Sequence, residues 1–172
     1  MLTDAPRIAS ALCGKSPFRR ALTQGTRGDM VELLSARLNE AIDLQLWSRQ
    51  AHWDFRGRQF ITQHELFEDM HASFSACAAL LAERVLQLGG TAPGPRQPPA
   101  PRAVLMAAPA QAASDTVPVE ALLPALSAFG AAIRAGVTQA GKAGDRVTAE
   151  ACTTILDEMD KLRRRVAART PE

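Results

Sequence analysis

The chain has 172 residues, 47% of them hydrophobic and 22% charged, with 20 basic against 18 acidic side chains for a net charge of +2. That is one ordinary domain, long enough to bury a core without disulfide or metal staples. It is too hydrophobic for a disordered tail, and its total charge is too small to imply nucleic-acid binding.

Cys13, Cys77 and Cys152 lie far apart with no C-x-x-C pair. This excludes a thiolate zinc ribbon and favours a reducing compartment. No apolar run approaches the roughly 20 residues of a membrane span. Gly14, Lys15 and Arg19-Arg20 break the stretch Ala9 to Cys13 before a signal-peptide core forms. A cytoplasmic protein is expected.

Charge is distributed unevenly. Residues 1–28 carry Arg7, Lys15, Arg19, Arg20 and Arg27 against Asp4, for +4; residues 29–90 sum to −4 and residues 91–172 to +2. The expected organisation is a basic, flexible N-terminal arm (1–28), a helical body (29–168) and a C-terminal tail (169–172). A basic arm on an acidic body suits an anion-binding tail. The alternative is a solvated terminus.

The body is rich in Ala and Leu, has no Tyr and shows no alternating Val/Ile/Thr runs, so an all-α fold is predicted. Helix A is predicted to start at an Asp29 cap and to end before Gly57, with Leu34, Leu38, Ile42 and Leu46 facing inward. Helix B is predicted from about residue 59 to Leu88, stopping at Gly89-Gly90. At about 100° per residue, Phe67, Met70, Phe74, Cys77, Leu81, Val85 and Leu88 fall on one core face.

Residues 91–118 hold seven of the eleven prolines. This long Pro-rich link reads as a crossover, a wrapping loop or a partly disordered segment, with one short helix predicted over Ala103 to Ala108. Helix C carries Leu122, Leu126, Phe129, Ile133 and Val137. After the turn at Gly141 and Gly144, helix D carries Ala149, Cys152, Ile155, Leu156, Met159, Leu162 and Val166. Two hairpins joined by one long crossover describe a ferritin-like four-helix bundle. The same count fits an adaptor bundle, so architecture alone does not give chemistry.

The histidines are His52, His64 and His71. They cluster with Glu65, Glu68, Asp69 and Glu83, a set suited to metal. Glu68 and His71 form one Glu-x-x-His motif, but a di-iron centre inside a bundle needs two. No histidine follows residue 71, so that arrangement is excluded by counting. On helix B, Glu83 points about 200° from the core face, while His64 and Glu68 lie on its border. Glu83 is therefore either a solvated charge or a group that meets ligands of a second subunit, where burial would require a partner such as a metal.

Three segments carry a resemblance: Gln50-Ala51-His52-Trp53-Asp54-Phe55-Arg56-Gly57, then Phe60-Ile61-x-x-His64-Glu65, then Ala82-Glu83-Arg84-Val85-x-Gln87-Leu88-Gly89-Gly90. They resemble the signature of the Dps family, the mini-ferritins or DNA-binding proteins from starved cells. The match is gap-free over roughly residues 38–91 and continues weakly to Asp160-Lys161-Leu162. The resemblance implies a hollow twelve-subunit shell with ferroxidase sites at two-fold interfaces. It also implies Fe(II) oxidation, preferably by hydrogen peroxide, with mineral storage in the cavity and non-specific DNA binding through a basic tail. No membrane partner is implied; a DNA-binding shell would be nucleoid-associated.

Carried over by position, the resemblance makes His52, His64 and Glu68 ligands from one subunit and Glu83 the ligand from its mate, with no catalytic residue beyond the metal ligands. Glu68 stands where the family usually has Asp. Trp53 matches the aromatic beside the site. The family's second-subunit Asp falls at Ala79, which removes one ligand and one negative charge. Asp69 and His71 lie nearby but not at the matching position. Four ligands still suffice for one metal, with zinc as an alternative to iron.

Residues 121–144 contain no Asp or Glu, so a pore lined there, with Ala132 at an often acidic family position, has a weak steering field. Two functions follow. One is an iron-oxidising storage shell that protects DNA from peroxide chemistry, its centre weakened by Ala79. The other is a shell with little ferroxidase activity that binds and compacts DNA through Arg7, Lys15, Arg19, Arg20 and Arg27, twelve arms acting together.

Overall fold

The structure, a computed structural model, describes residues 22–54, 60–92 and 122–168. Four helices account for nearly all of them: α1 (Gln24–Asp54), α2 (Phe60–Gln87), α3 (Leu122–Lys142) and α4 (Arg146–Ala167). No strand occurs among the described residues. The predicted short helix at Ala103 to Ala108 lies outside them.

Helix α1 begins at Gln24, earlier than the expected Asp29 cap. Thr23 supplies the cap instead. Its Oγ1 accepts the Thr26 amide N–H at 3.2 Å, and its carbonyl accepts that of Arg27 at 3.0 Å. Satisfying the otherwise orphaned Thr26 N–H offsets the helix-weakening effect of Gly25 and Gly28. Arg27 therefore sits in the first turn of α1, not in an arm.

The inward face of α1 also differs from the expected one. Leu34 and Leu38 are buried, but Ile42 is only partly so and Leu46 is 57% exposed. Steps of four residues advance by about 40° each, so a 34-38-42-46 stripe winds off the core. The observed buried face is Met30, Leu34, Leu38, Ala41, Leu44, Ser48 and Ala51, which mixes steps of three and four. Ser48 is tolerated there because its hydroxyl donates to the Leu44 carbonyl at 2.7 Å.

The predicted core face of α2 is buried throughout, as are Leu126, Phe129 and Ile133 of α3 and Cys152, Ile155, Met159, Leu162 and Val166 of α4. Phe74 meets Phe129 edge-on at 5.9 Å, and Trp47 meets Phe67 at 6.3 Å.

The helices pack in the cyclic order α1-α2-α4-α3. Helix α1 runs antiparallel to α2, since Gln45 meets His71 and His52 meets His64. Helix α2 runs antiparallel to α4, since Asp69 meets Arg165, Ser73 meets Glu158 and Arg84 meets Asp145. The short turn before Arg146 reverses α3 into α4. Helices α2 and α3 therefore point the same way. The sequence between them therefore joins the end of α2 to a helix that starts at the opposite end of the bundle.

Helix α2 ends as the glycines predict. Gly89 has φ +87°, and the Gly90 N–H reaches the Val85 carbonyl at 3.0 Å. A Cβ on Gly90 would lie 2.6 Å from Val31 Cγ1, so a side chain here would force the Val31 side chain or the chain itself to shift.

A buried ion pair locks this end of α2 to the α3–α4 turn. Arg84 Nη2 donates to Asp145 Oδ1 at 2.7 Å, and Arg84 Nε to Thr148 Oγ1 at 2.9 Å. Asp145 caps α4 through the Thr148 N–H at 3.1 Å and accepts the Thr148 hydroxyl. Burial alone would raise the Asp145 carboxyl. The hydrogen bonds from Thr148 and the Arg84 guanidinium overcome that and hold it below the ordinary aspartate range.

Because this carboxyl's folded pKa is depressed, its stabilisation is complete above the unfolded value of about 4 and is lost as pH falls through the folded value. Asp145→Ala should cost about 3–5 kcal/mol in urea unfolding at neutral pH, since it leaves Arg84 buried and unpaired. The variant should also lose less stability than wild type on acidification. Equal acid sensitivity in the two proteins would contradict the role given to Asp145.

Candidate metal centre

The antiparallel register of α1 and α2 brings the C-terminal end of one against the N-terminal end of the other. His52 and His64 stack there, with ring centroids 3.4 Å apart and planes tilted by 32°. One turn further along α2, Glu68 Oε2 lies 3.4 Å from His52 Nε2. The same oxygen accepts Arg49 Nη1 at 3.1 Å. The sequence-predicted trio His52, His64 and Glu68 is therefore brought together.

The His52 side chain is only 15% exposed, whereas that of Glu68 is 53% exposed. Burial, then the neighbouring His64 ring, pull the His52 pKa below its ordinary value; Arg49 and His71 add to this and Glu68 opposes it. A neutral imidazole is the form that binds metal. His52 Nδ1 is buried and has no hydrogen-bond partner among the described residues. Two imidazoles, one of them with an orphaned nitrogen, and a carboxylate suit a borderline divalent ion.

The trio does not by itself make a metal site. Among the described residues, no three His, Cys, Asp or Glu side chains are placed to hold a metal ion within one chain. Glu83 is exposed and lies fifteen residues along α2 from Glu68, about 22 Å on a helix. It cannot join the trio of its own chain.

The other candidates fall elsewhere. Asp69 pairs with Arg165 of α4 at 3.0 Å. His71 Nδ1 lies 3.1 Å from the Gln45 carbonyl, so its N–H donates to the α1 backbone. Trp53 is 69% exposed beside His52, and Ala79 is exposed on the outer face of α2. Arg7, Lys15, Arg19 and Arg20 lie outside the described residues. Helix α3 presents no acid, and the shallow groove beside Ala132 takes Asp29 and Glu32 from α1 instead.

Arg49 is a charged neighbour of the trio that the sequence did not single out. It stands one turn before His52, about 60° away around α1, and meets Glu68 only because α1 and α2 are in register.

No helix among the described residues is long and apolar enough to cross a membrane. A ferritin-like domain matches residues 31–169. The chain is 32% identical over 140 residues to a DNA protection during starvation protein of Agrobacterium fabrum, covering 81% of this chain and 86% of that one. Its fold is similar to that of an archaeal Dps homologue from Halobacterium salinarum, with a TM-score of 0.77, 20% identity, and coverage of 86% and 82%. It is also similar to the Dps protein of Vibrio cholerae O1, described as a member of a superfamily of ferritin-like diiron-carboxylate proteins, with a TM-score of 0.70, 22% identity, and coverage of 86% and 92%. An all-α bundle of this order and direction, with histidines at the α1–α2 end, and a relative matched along most of its length place the chain in the DNA protection during starvation (Dps) family of ferritin-like proteins.

Proposed function

We propose that the protein is a cytoplasmic iron-oxidising and iron-storing shell of twelve subunits, with each oxidation centre shared across a two-fold interface. His52, His64 and Glu68 of one subunit bind Fe(II), and Glu83 of the partner subunit completes the set. The observation that carries this reading is the layout of the outer face of α2. Glu68 and Glu83 are both exposed there, and the exposed positions Ala72, Ser75, Ala76 and Ala79 between them are all small.

Midway between Glu68 and Glu83 lie Ser75 and Ala76. Two copies of α2 crossing antiparallel at that point bring each Glu68 beside the other chain's Glu83. Small residues at the crossing let the backbones approach. Ile61 and Leu86, at the two ends of the face, are 73% and 58% exposed, and a second chain would cover them.

The iron is substrate here. Each Fe(II) gives up one electron, and two together reduce one hydrogen peroxide; with water, the products are ferric oxyhydroxide and protons. The imidazoles of His52 and His64 are ligands that add no charge, and the two carboxylates offset the charge gained on oxidation. Consuming peroxide and Fe(II) together keeps both from DNA. Zinc suits the same four ligands and would occupy the site without redox change.

Ala79 favours a second reading, in which the shell keeps little ferroxidase activity and acts mainly on DNA. The arm residues Arg7, Lys15, Arg19 and Arg20, together with Arg27, would hold phosphates without sequence preference. Removing residues 1–21 should then abolish the gel shift of duplex DNA at low salt. A shift unchanged by the truncation would count against this reading.

The first reading predicts that wild-type protein oxidises anaerobically loaded Fe(II) on peroxide addition at least about tenfold faster than a His52→Ala, His64→Ala variant. Equal rates would overturn it. In the same assay Ala79→Asp should speed oxidation, because it returns an oxygen ligand and a negative charge to the interface.

A further inference from the structure

We propose that Arg49 is a resident cation that competes with incoming metal for Glu68. This rests on the metal-centre reading above and deepens it.

Two ligands held about 2.1 Å from one ion at a tetrahedral angle sit about 3.4 Å apart. That is the separation observed between His52 Nε2 and Glu68 Oε2. The pair is already spaced to share a divalent ion. Yet Glu68 Oε2 is also the oxygen that accepts Arg49 Nη1 at 3.1 Å. An ion bound between His52 and Glu68 must take that oxygen from the guanidinium or endure its charge at close range.

Arg49 has room to give way. Its side chain is 33% exposed and that of Glu68 is 53% exposed, so the pair is a surface ion pair worth little to folding. Its consequence is for binding. The guanidinium cancels the one carboxylate that the half-site owns. Affinity then depends on the partner subunit's carboxylate and on displacement of Arg49, and this discourages metal binding by unassembled chains.

The test uses the assembled full chain and Co(II) alone as probe, followed by calorimetry and by the visible absorption of bound Co(II). Arg49→Gln should bind Co(II) about tenfold more tightly than wild type, with a steeper loss of affinity as salt rises. Arg49→Lys, which keeps the charge, should stay near wild type. Metal-free Arg49→Gln should unfold at nearly the wild-type urea midpoint.

Unchanged affinity in Arg49→Gln, with Co(II) binding still lost in His52→Ala, His64→Ala, would overturn the competitor role alone. A lowered urea midpoint with unchanged affinity would make Arg49 a structural clip and overturn it equally. Tight Co(II) binding that survives His52→Ala, His64→Ala would overturn the metal-centre reading and this proposal with it.

Discussion

The register of α1 against α2 is the constraint on which the rest depends. Gln45 meets His71, Arg49 meets Glu68, and His52 meets His64, so one helix recedes step by step as the other advances. A slip of one residue would turn each side chain by about 100° and separate the two rings. The slip is prevented below the surface, where Leu34, Phe67, Met70 and Phe74 are fully buried. Close packing makes such a core intolerant of small shifts. Gly90 suits the close approach at the other end of the hairpin, since a Cβ there would press on Val31. The His52–His64–Glu68 cluster at one end of the bundle is therefore positioned by apolar packing along its length.

How much of this was legible in the sequence depended on what each residue touches. The buried faces of α2 and α4 were legible because their apolar residues recur at true helical spacing. The face of α1 was not, because Leu46 continues a simple four-step pattern while Ala41, Leu44 and Ser48 do the packing. The start of α1 was misjudged because Asp29 looks like a cap and Gly28 like a break. A threonine hydroxyl earlier in the chain settles the matter. His52, His64 and Glu68 were legible through the Dps resemblance, and the outward direction of Glu83 through helical geometry alone. Arg49 was not, because an arginine on a polar helix face reads as a solvated charge until the opposite helix is in register. The Arg84–Asp145 pair was hidden for the same reason, its members lying 61 residues apart.

Two features lower the negative charge of the centre. In the proposed centre Ala79 supplies no carboxylate from the second subunit, and Arg49 lies 3.1 Å from the Glu68 carboxylate. What one chain contributes is two imidazoles, a carboxylate and a guanidinium. Such a set holds a divalent ion weakly alone and gains most from a carboxylate brought by assembly. In the proposed shell, metal binding and subunit pairing are linked: whatever strengthens one strengthens the other.

The most direct measurement is anomalous X-ray scattering at the iron edge from crystals soaked in Fe(II) without oxygen. An iron peak within bonding distance of His52, His64 and Glu68 of one subunit and of Glu83 of its neighbour is the predicted result. Iron held by one chain alone, or a Glu83 side chain surrounded by solvent with no neighbouring imidazole in reach, would contradict it.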